Sequence, residues 1–182
     1  MRSLIGDLLQ RSRTADLALA RVRLAALDLT EAEVRGPARC RVLLGQLDAS
    51  MLVDATAAHD TAADYSRRRE ALLRLADWLA SDRLEVRSAG IGLWTPDFSI
   101  FRDPADATTC LLGAHYFGSP QLTMGPSFTA VFHGADDAAL LQLRFEEVWD
   151  RGHDVSPAIL EVLERTAEEV RDHGRFGSPR SP

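Results

Sequence analysis

The stretch WTPDFSIFRDPADATTCLLGAHYF, residues 94–117, gathers more chemistry-bearing side chains than an apolar hairpin needs. Two short apolar runs are joined by a polar turn, and Trp94, Asp97, Ser99, His115 and Tyr116 crowd around their ends. An imidazole titrates near neutrality, so His115 is a candidate general base, with Asp97 or Asp103 to orient it. Ser99 and, further on, Ser127 are candidate nucleophiles, although neither lies in a G-x-S-x-G elbow. Against this stands the structural reading, in which a histidine at a strand end is a hydrogen-bonding group and nothing more; it applies to His115 and more strongly to His133. Arg87, Trp94, Asp97, His115 and Tyr116 form the candidate ligand-binding set, with Trp94 and Tyr116 as pocket-lining aromatics.

What is missing limits the chemistry further. All 21 basic residues are arginine, and the chain has neither lysine nor asparagine, as the codon bias of a GC-rich genome would produce. Whatever the origin, no Schiff base, lysine general base or P-loop lysine can form. Cys40 and Cys110 sit in apolar strand-like runs and read as buried reduced thiols, and no Cys/His spacing suggests zinc, so no metal site is expected. Gly90-x-Gly92 lacks the helix of a dinucleotide fingerprint, so no cofactor is expected.

These residues need elements to position them. SLIGDLLQ places Leu4, Ile5, Leu8 and Leu9 at helical spacing. TADLALARVRLAAL fits a strand or a helix. LTEAEVRG predicts a short helix after Thr30, with Glu33 completing a capping box and Gly36-Pro37 ending it. RCRVLLGQ (39–46) predicts a buried strand, and a helix follows from about Thr56 to Asp82. There Leu72, Leu73, Leu75, Ala76 and Leu79 form the apolar face and Arg67-Arg68-Arg69 a solvated one. LEVRSAGIG alternates with period two, and FSIFRD, TCLLGAHYF and PSFTAVFHG predict three more strands. Two amphipathic helices close the pattern, ADDAALLQLRFEEVWDRG and VSPAILEVLERTAEEVRDHG, the second with Ser156 as N-cap and Pro157 in its first turn. Glu146-Glu147 and Glu168-Glu169 read as solvated helix faces. The order predicts an α/β fold, a mixed β-sheet flanked by helices on both faces. RCRVLLG and TCLLGAH, apolar on both sides, are expected near the centre of that sheet.

At 182 residues the chain is expected to form one domain over 1–173, with a flexible polar tail over 174–182. Its net charge of −6 argues against nonspecific binding to nucleic acid or anionic lipid, leaving only a local basic patch for nucleic acid. No apolar run is long enough for a transmembrane helix and no secretory pattern opens the chain, so the expected location is cytoplasmic, without membrane attachment.

The succession of RVLLG, LEVRSAG, FSIFRD, CLLGAHYF and FEEVWDRGHDVSPAILEVLE, spanning about Ser3 to Glu164, resembles the phospholipase D superfamily. It is most similar to the small single-motif members and to the phospholipase-D-like domains attached to helicases and nucleases. In that family His-x-Lys, an aspartate a few residues on, and Gly-Ser-x-Asn carry phosphodiester chemistry: the histidine attacks phosphorus while lysine and asparagine hold the phosphate oxygens. The resemblance lays Thr95 on the histidine, Asp97 on the lysine, Asp103 near the aspartate, and Gly113-Ala114-His115-Tyr116 on Gly-Ser-x-Asn. Asp97 would put an anion beside the phosphate, where such sites work by positive electrostatic stabilisation. Thr95 does not replace an imidazole nucleophile.

The resemblance therefore implies a phospholipase-D-like sandwich that is catalytically silent, a module binding a partner protein or ligand, as an accessory in nucleic-acid processing or defence. The competing expectations are a phosphodiesterase or hydrolase rebuilt around His115 and Asp97, and a ligand-sensing regulatory domain. Single-motif members pair about a twofold axis. The resemblance thus also implies a homodimer with the motif strands at the seam, where Arg87 or Arg102 would neutralise Asp97 and Asp103.

Overall fold

The alternation of apolar and polar residues in the strands is a device for building a sheet with two different faces, and the chain uses both. The computed structural model describes residues 4–21, 31–46, 62–89, 97–113 and 129–176. In chain order the elements are α1 (Leu4–Arg11), β1 (Thr14–Arg21), α2 (Glu31–Arg35), β2 (Arg39–Gln46), α3 (Ala62–Ala80), β3 (Leu84–Ser88), β4 (Phe98–Arg102), β5 (Thr108–Gly113), β6 (Thr129–His133), α4 (Ala135–Arg151), β7 (His153–Asp154) and α5 (Ser156–Phe176). The strands form one mixed seven-stranded sheet in the order β6-β5-β4-β1-β2-β3-β7. β1, β2 and β3 are parallel, whereas β4, β5 and β6 are added antiparallel, one after another, on the other side of β1. TADLALAR is therefore a strand. β1 is the middle strand, with β4 and β2 on either side, so β2 lies near the centre as expected, whereas β5 is one strand in from the edge.

Period two divides the sheet between two cores. Ala15, Leu17 and Leu19 of β1, Cys40 and Leu44 of β2, Leu84 and Val86 of β3, Phe101 and Leu111 pack under α1, α2, α3 and α5. Ala18, Leu43, Phe98, Ile100 and Cys110 point the other way, against Ala138, Phe145, Val148 and Trp149 of α4. Among the described residues four helices cover one face and one helix covers the other. Phe145 is central to the sparser side: fully buried, it stacks on Trp149 at 5.4 Å and meets the edge of Phe98 at 6.4 Å. Both cysteines are buried and outside any disulfide, and burial, then the nearby Asp16 carboxylate, pushes the Cys40 thiol far above its ordinary range.

The helix ends depart from expectation in one respect. Ser156 does not cap its own helix. Its hydroxyl accepts from the Val86 N–H at 2.9 Å, tying α5 to β3, while the Asp154 carboxylate accepts the Ser156 N–H at 2.9 Å. Asp154 belongs to β7, a two-residue strand pairing with β3 that the sequence pattern is too short to announce. α5 continues through Phe176, past the boundary expected at 173. No helix of the described residues is long and apolar enough to cross a membrane.

Candidate functional site

β1, β2, β3 and β5 all end at one edge of the sheet, and β4 begins there, as the register requires. Ligand sites of open α/β sheets gather at the carboxyl ends of parallel strands, which is this edge. The two segments laid on the phosphodiester motif also meet here: the Gly113 N–H at the end of β5 donates to the Asp97 carbonyl at 2.9 Å. The Asp97 carboxylate turns toward the neighbouring strand and accepts the Ala20 N–H of β1 through Oδ1. It thus continues the β1–β4 pairing one step past Ala18–Phe98, using a side chain where the backbone ladder stops.

The other candidates are distributed differently. Ser99 is 0% exposed, flanked in register by Leu17 and Leu111, so no substrate reaches its hydroxyl. Arg87 extends over the Trp149 ring, 4.6 Å from its centroid, and donates to the Trp149 carbonyl at 3.0 Å and to Glu85 at 3.0 Å. Asp103 lies at the far end of β4, where Oδ1 accepts the N–H groups of Ala105 and Ala107 at 2.8 and 2.9 Å. Six residue steps along β4 separate it from Asp97 by roughly 20 Å. One imidazole cannot use both aspartates, and a twofold seam at the motif edge would hold only Asp97. His133 is exposed, with Nδ1 3.3 Å from the Thr109 hydroxyl. Trp94, Thr95, Ala114, His115, Tyr116 and Ser127 lie outside the described residues.

A second polar cluster, which no motif marks, sits at the opposite end of the sheet under α4. Asp16 and Arg41 are register partners on parallel β1 and β2, and both point to the α4 face. With their side chains only 5% and 12% exposed, they form a two-point pair, Arg41 Nε to Oδ1 at 2.7 Å and Nη2 to Oδ2 at 2.8 Å. The same guanidinium donates to both oxygens of Glu146 on α4, at 3.0 and 2.7 Å, and lies 4.9 Å from the Phe145 ring centroid and 5.2 Å from that of Trp149. Gln142, one turn before Glu146, donates to Glu146 at 2.6 Å and to Asp16 at 3.2 Å, and its carbonyl accepts from Arg102 at 2.6 Å. Glu146, its side chain 41% exposed, meets solvent on one side and Arg41 on the other, and its hydrogen bond to Arg41 holds its carboxyl below the usual range. Burial works against the charge on Arg41, but the hydrogen bonds to Asp16 and Glu146 outweigh it and hold the guanidinium protonated.

Beside the cluster, between α4 and the adjoining ends of β4 and β5, an open cavity of about 480 Å³ is bordered by Arg102, Thr108, Gln142 and Glu146 on its polar side and Ala138, Ala139 and Leu143 on its apolar side. Asp16 and Glu146 are matched by Arg41 and Arg102, so the cluster is internally neutral. Among the described residues no imidazole joins the cluster to move a proton. The cluster fastens α4 to the sheet. Among the described residues no three His, Cys, Asp or Glu side chains come together as a metal site would need.

Compared with protein-family models and with curated proteins, the chain has no match.

Proposed function

We propose that this chain is a catalytically silent phospholipase-D-like module that binds a partner protein or ligand. In this reading it works in the cytoplasm, as a homodimer or with another protein, as an accessory to nucleic-acid processing or defence. The observation that carries it is the use made of Asp97. Where the resemblance puts a lysine to hold phosphate oxygens, this chain has a carboxylate committed to the Ala20 N–H. An anion in that position repels a phosphodiester, and its hydrogen bond serves the sheet instead. Of the two arginines expected to neutralise it, Arg87 is engaged with Glu85 and Trp149, and Arg102 with Gln142 at the other end of β4.

The test is turnover of bis(p-nitrophenyl) phosphate by the purified chain. No hydrolysis above the buffer rate is expected, with Asp97→Ala lowering stability by about 1–2 kcal/mol through the orphaned Ala20 N–H. Hydrolysis that disappears in His115→Ala would overturn the silent-module reading and establish a site rebuilt around His115 and Asp97.

A further inference from the structure

α4 carries the two most exposed large apolar side chains among the described residues, Leu140 at 73% and Leu143 at 70%. They fall on its outward side, opposite Phe145 and Val148, and share that side with Asp136 and Glu147. The open cavity adjoins the same flank, with Leu143 and Ala139 on its rim. This is also the face of the sheet with a single covering helix among the described residues.

The charges around the two leucines are arranged asymmetrically. Asp136, in the first turn of α4, is exposed, and its carboxylate makes no ion pair or hydrogen bond among the described residues. Glu147, toward the other end, is served twice, by Arg144 at 2.8 Å and by Arg151 at 3.3 Å. One of these arginines can leave while Glu147 keeps the other. Arg144 lies four residues after Leu140 and Asp136 four residues before it, so each is about 6 Å along the axis from that leucine. Two copies of α4 laid antiparallel, with a twofold axis at Leu140, therefore bring Asp136 of each level with Arg144 of the other. The contact puts two leucines from each copy at its centre and makes the same ion pair twice, as an isologous interface must.

We infer that the exposed face of α4 is a dimer interface, and that its partner is a second copy of this chain, joined through Leu140 and Leu143 and two Asp136–Arg144 pairs. The inference rests on the partner-binding reading above, naming the partner and moving the seam from the motif edge to α4. One helix from each copy buries less than a standard interface of roughly 1,600 Å², so the dimer is expected to dissociate on the order of 10 µM.

Sedimentation equilibrium of the full chain over a range around that concentration tests it. The expected mass rises from 20.0 kDa toward twice that value. Leu140→Asp should weaken association at least tenfold, about 1.4 kcal/mol, with little change in the melting temperature measured well below the dissociation constant, where the chain is monomeric and the residue exposed. Asp136→Arg and Arg144→Asp should each weaken it by placing like charges together, and the double variant should recover it. A chain that stays at 20.0 kDa a hundredfold above the expected constant overturns the inference. So does a dimer indifferent to Leu140→Asp, and so do single charge variants that the double does not rescue. Failure here leaves the turnover result untouched, and turnover would sink the silent-module reading without altering the mass.

Discussion

Arg41 faces an environment that would reject a charge and is kept there by two carboxylates and two aromatic rings. Removing one partner of such a pair leaves the other charged and buried, which costs more than the pair contributes. Arg41→Ala is therefore expected to destabilise the chain by about 3–5 kcal/mol in urea unfolding. Arg41→Met with Asp16→Leu should cost much less than the sum of the two single changes, because the two buried ions leave together and Glu146 and Arg102, 41% and 30% exposed, can turn to solvent. Glu146 adds a pH dependence. Its folded carboxyl ionises below its unfolded value, so its contribution is fully present above the unfolded value, near 4.3, and is lost as pH falls through the folded one. Melting temperatures measured from pH 6 to pH 3 should fall less steeply for Glu146→Gln than for the parent. Little of this cluster was legible beforehand. Asp16 and Arg41 are two single polar residues in otherwise apolar runs, 25 positions apart, and only the register of β1 on β2 makes them a pair. A charge at equal depth in two strands of opposite sign was the available signal. Glu146 is about as exposed as Glu147, and nothing in its spacing announces its contact with Arg41, 105 residues away.

At the scale of elements, periodicity was a good guide wherever a face is buried. β2, β3, β4, β5 and the two closing helices follow directly from their apolar spacing, and α2 ends at Gly36 as its sequence requires. That glycine answers to close approach: a Cβ there would stand 2.2 Å from the Leu9 carbonyl of α1. Gly36→Ala should push α1 off α2 and cost about 1–3 kcal/mol in thermal unfolding, as overpacking does. Short-range features were harder to read. β7 has two residues, too few for any period, and the Ser156 hydroxyl found its partner in β3, 70 residues away, instead of in its own helix. The motif edge was legible as a meeting of two segments, since Asp97 and Gly113 are joined there. What Asp97 does was not, because its partner is the main chain of β1.

At the scale of the molecule, the helices of the described residues divide four to one between the faces of the sheet. The two cores share no side chain, with the sheet between them. If α4 detaches, Phe98, Ile100, Leu43 and Cys110 lose their cover, but the strands keep their ladders and the four opposite helices keep theirs. Such an opening costs the sparser core and the Arg41–Glu146 tie, which is less than the whole of the folding free energy. Native-state hydrogen exchange reads this difference directly. Amides in the middle of α4 should exchange through a sub-global opening, with a smaller free energy and a shallower denaturant slope than those of β1 and β2. Equal values in all three would mean that the molecule opens only as one unit.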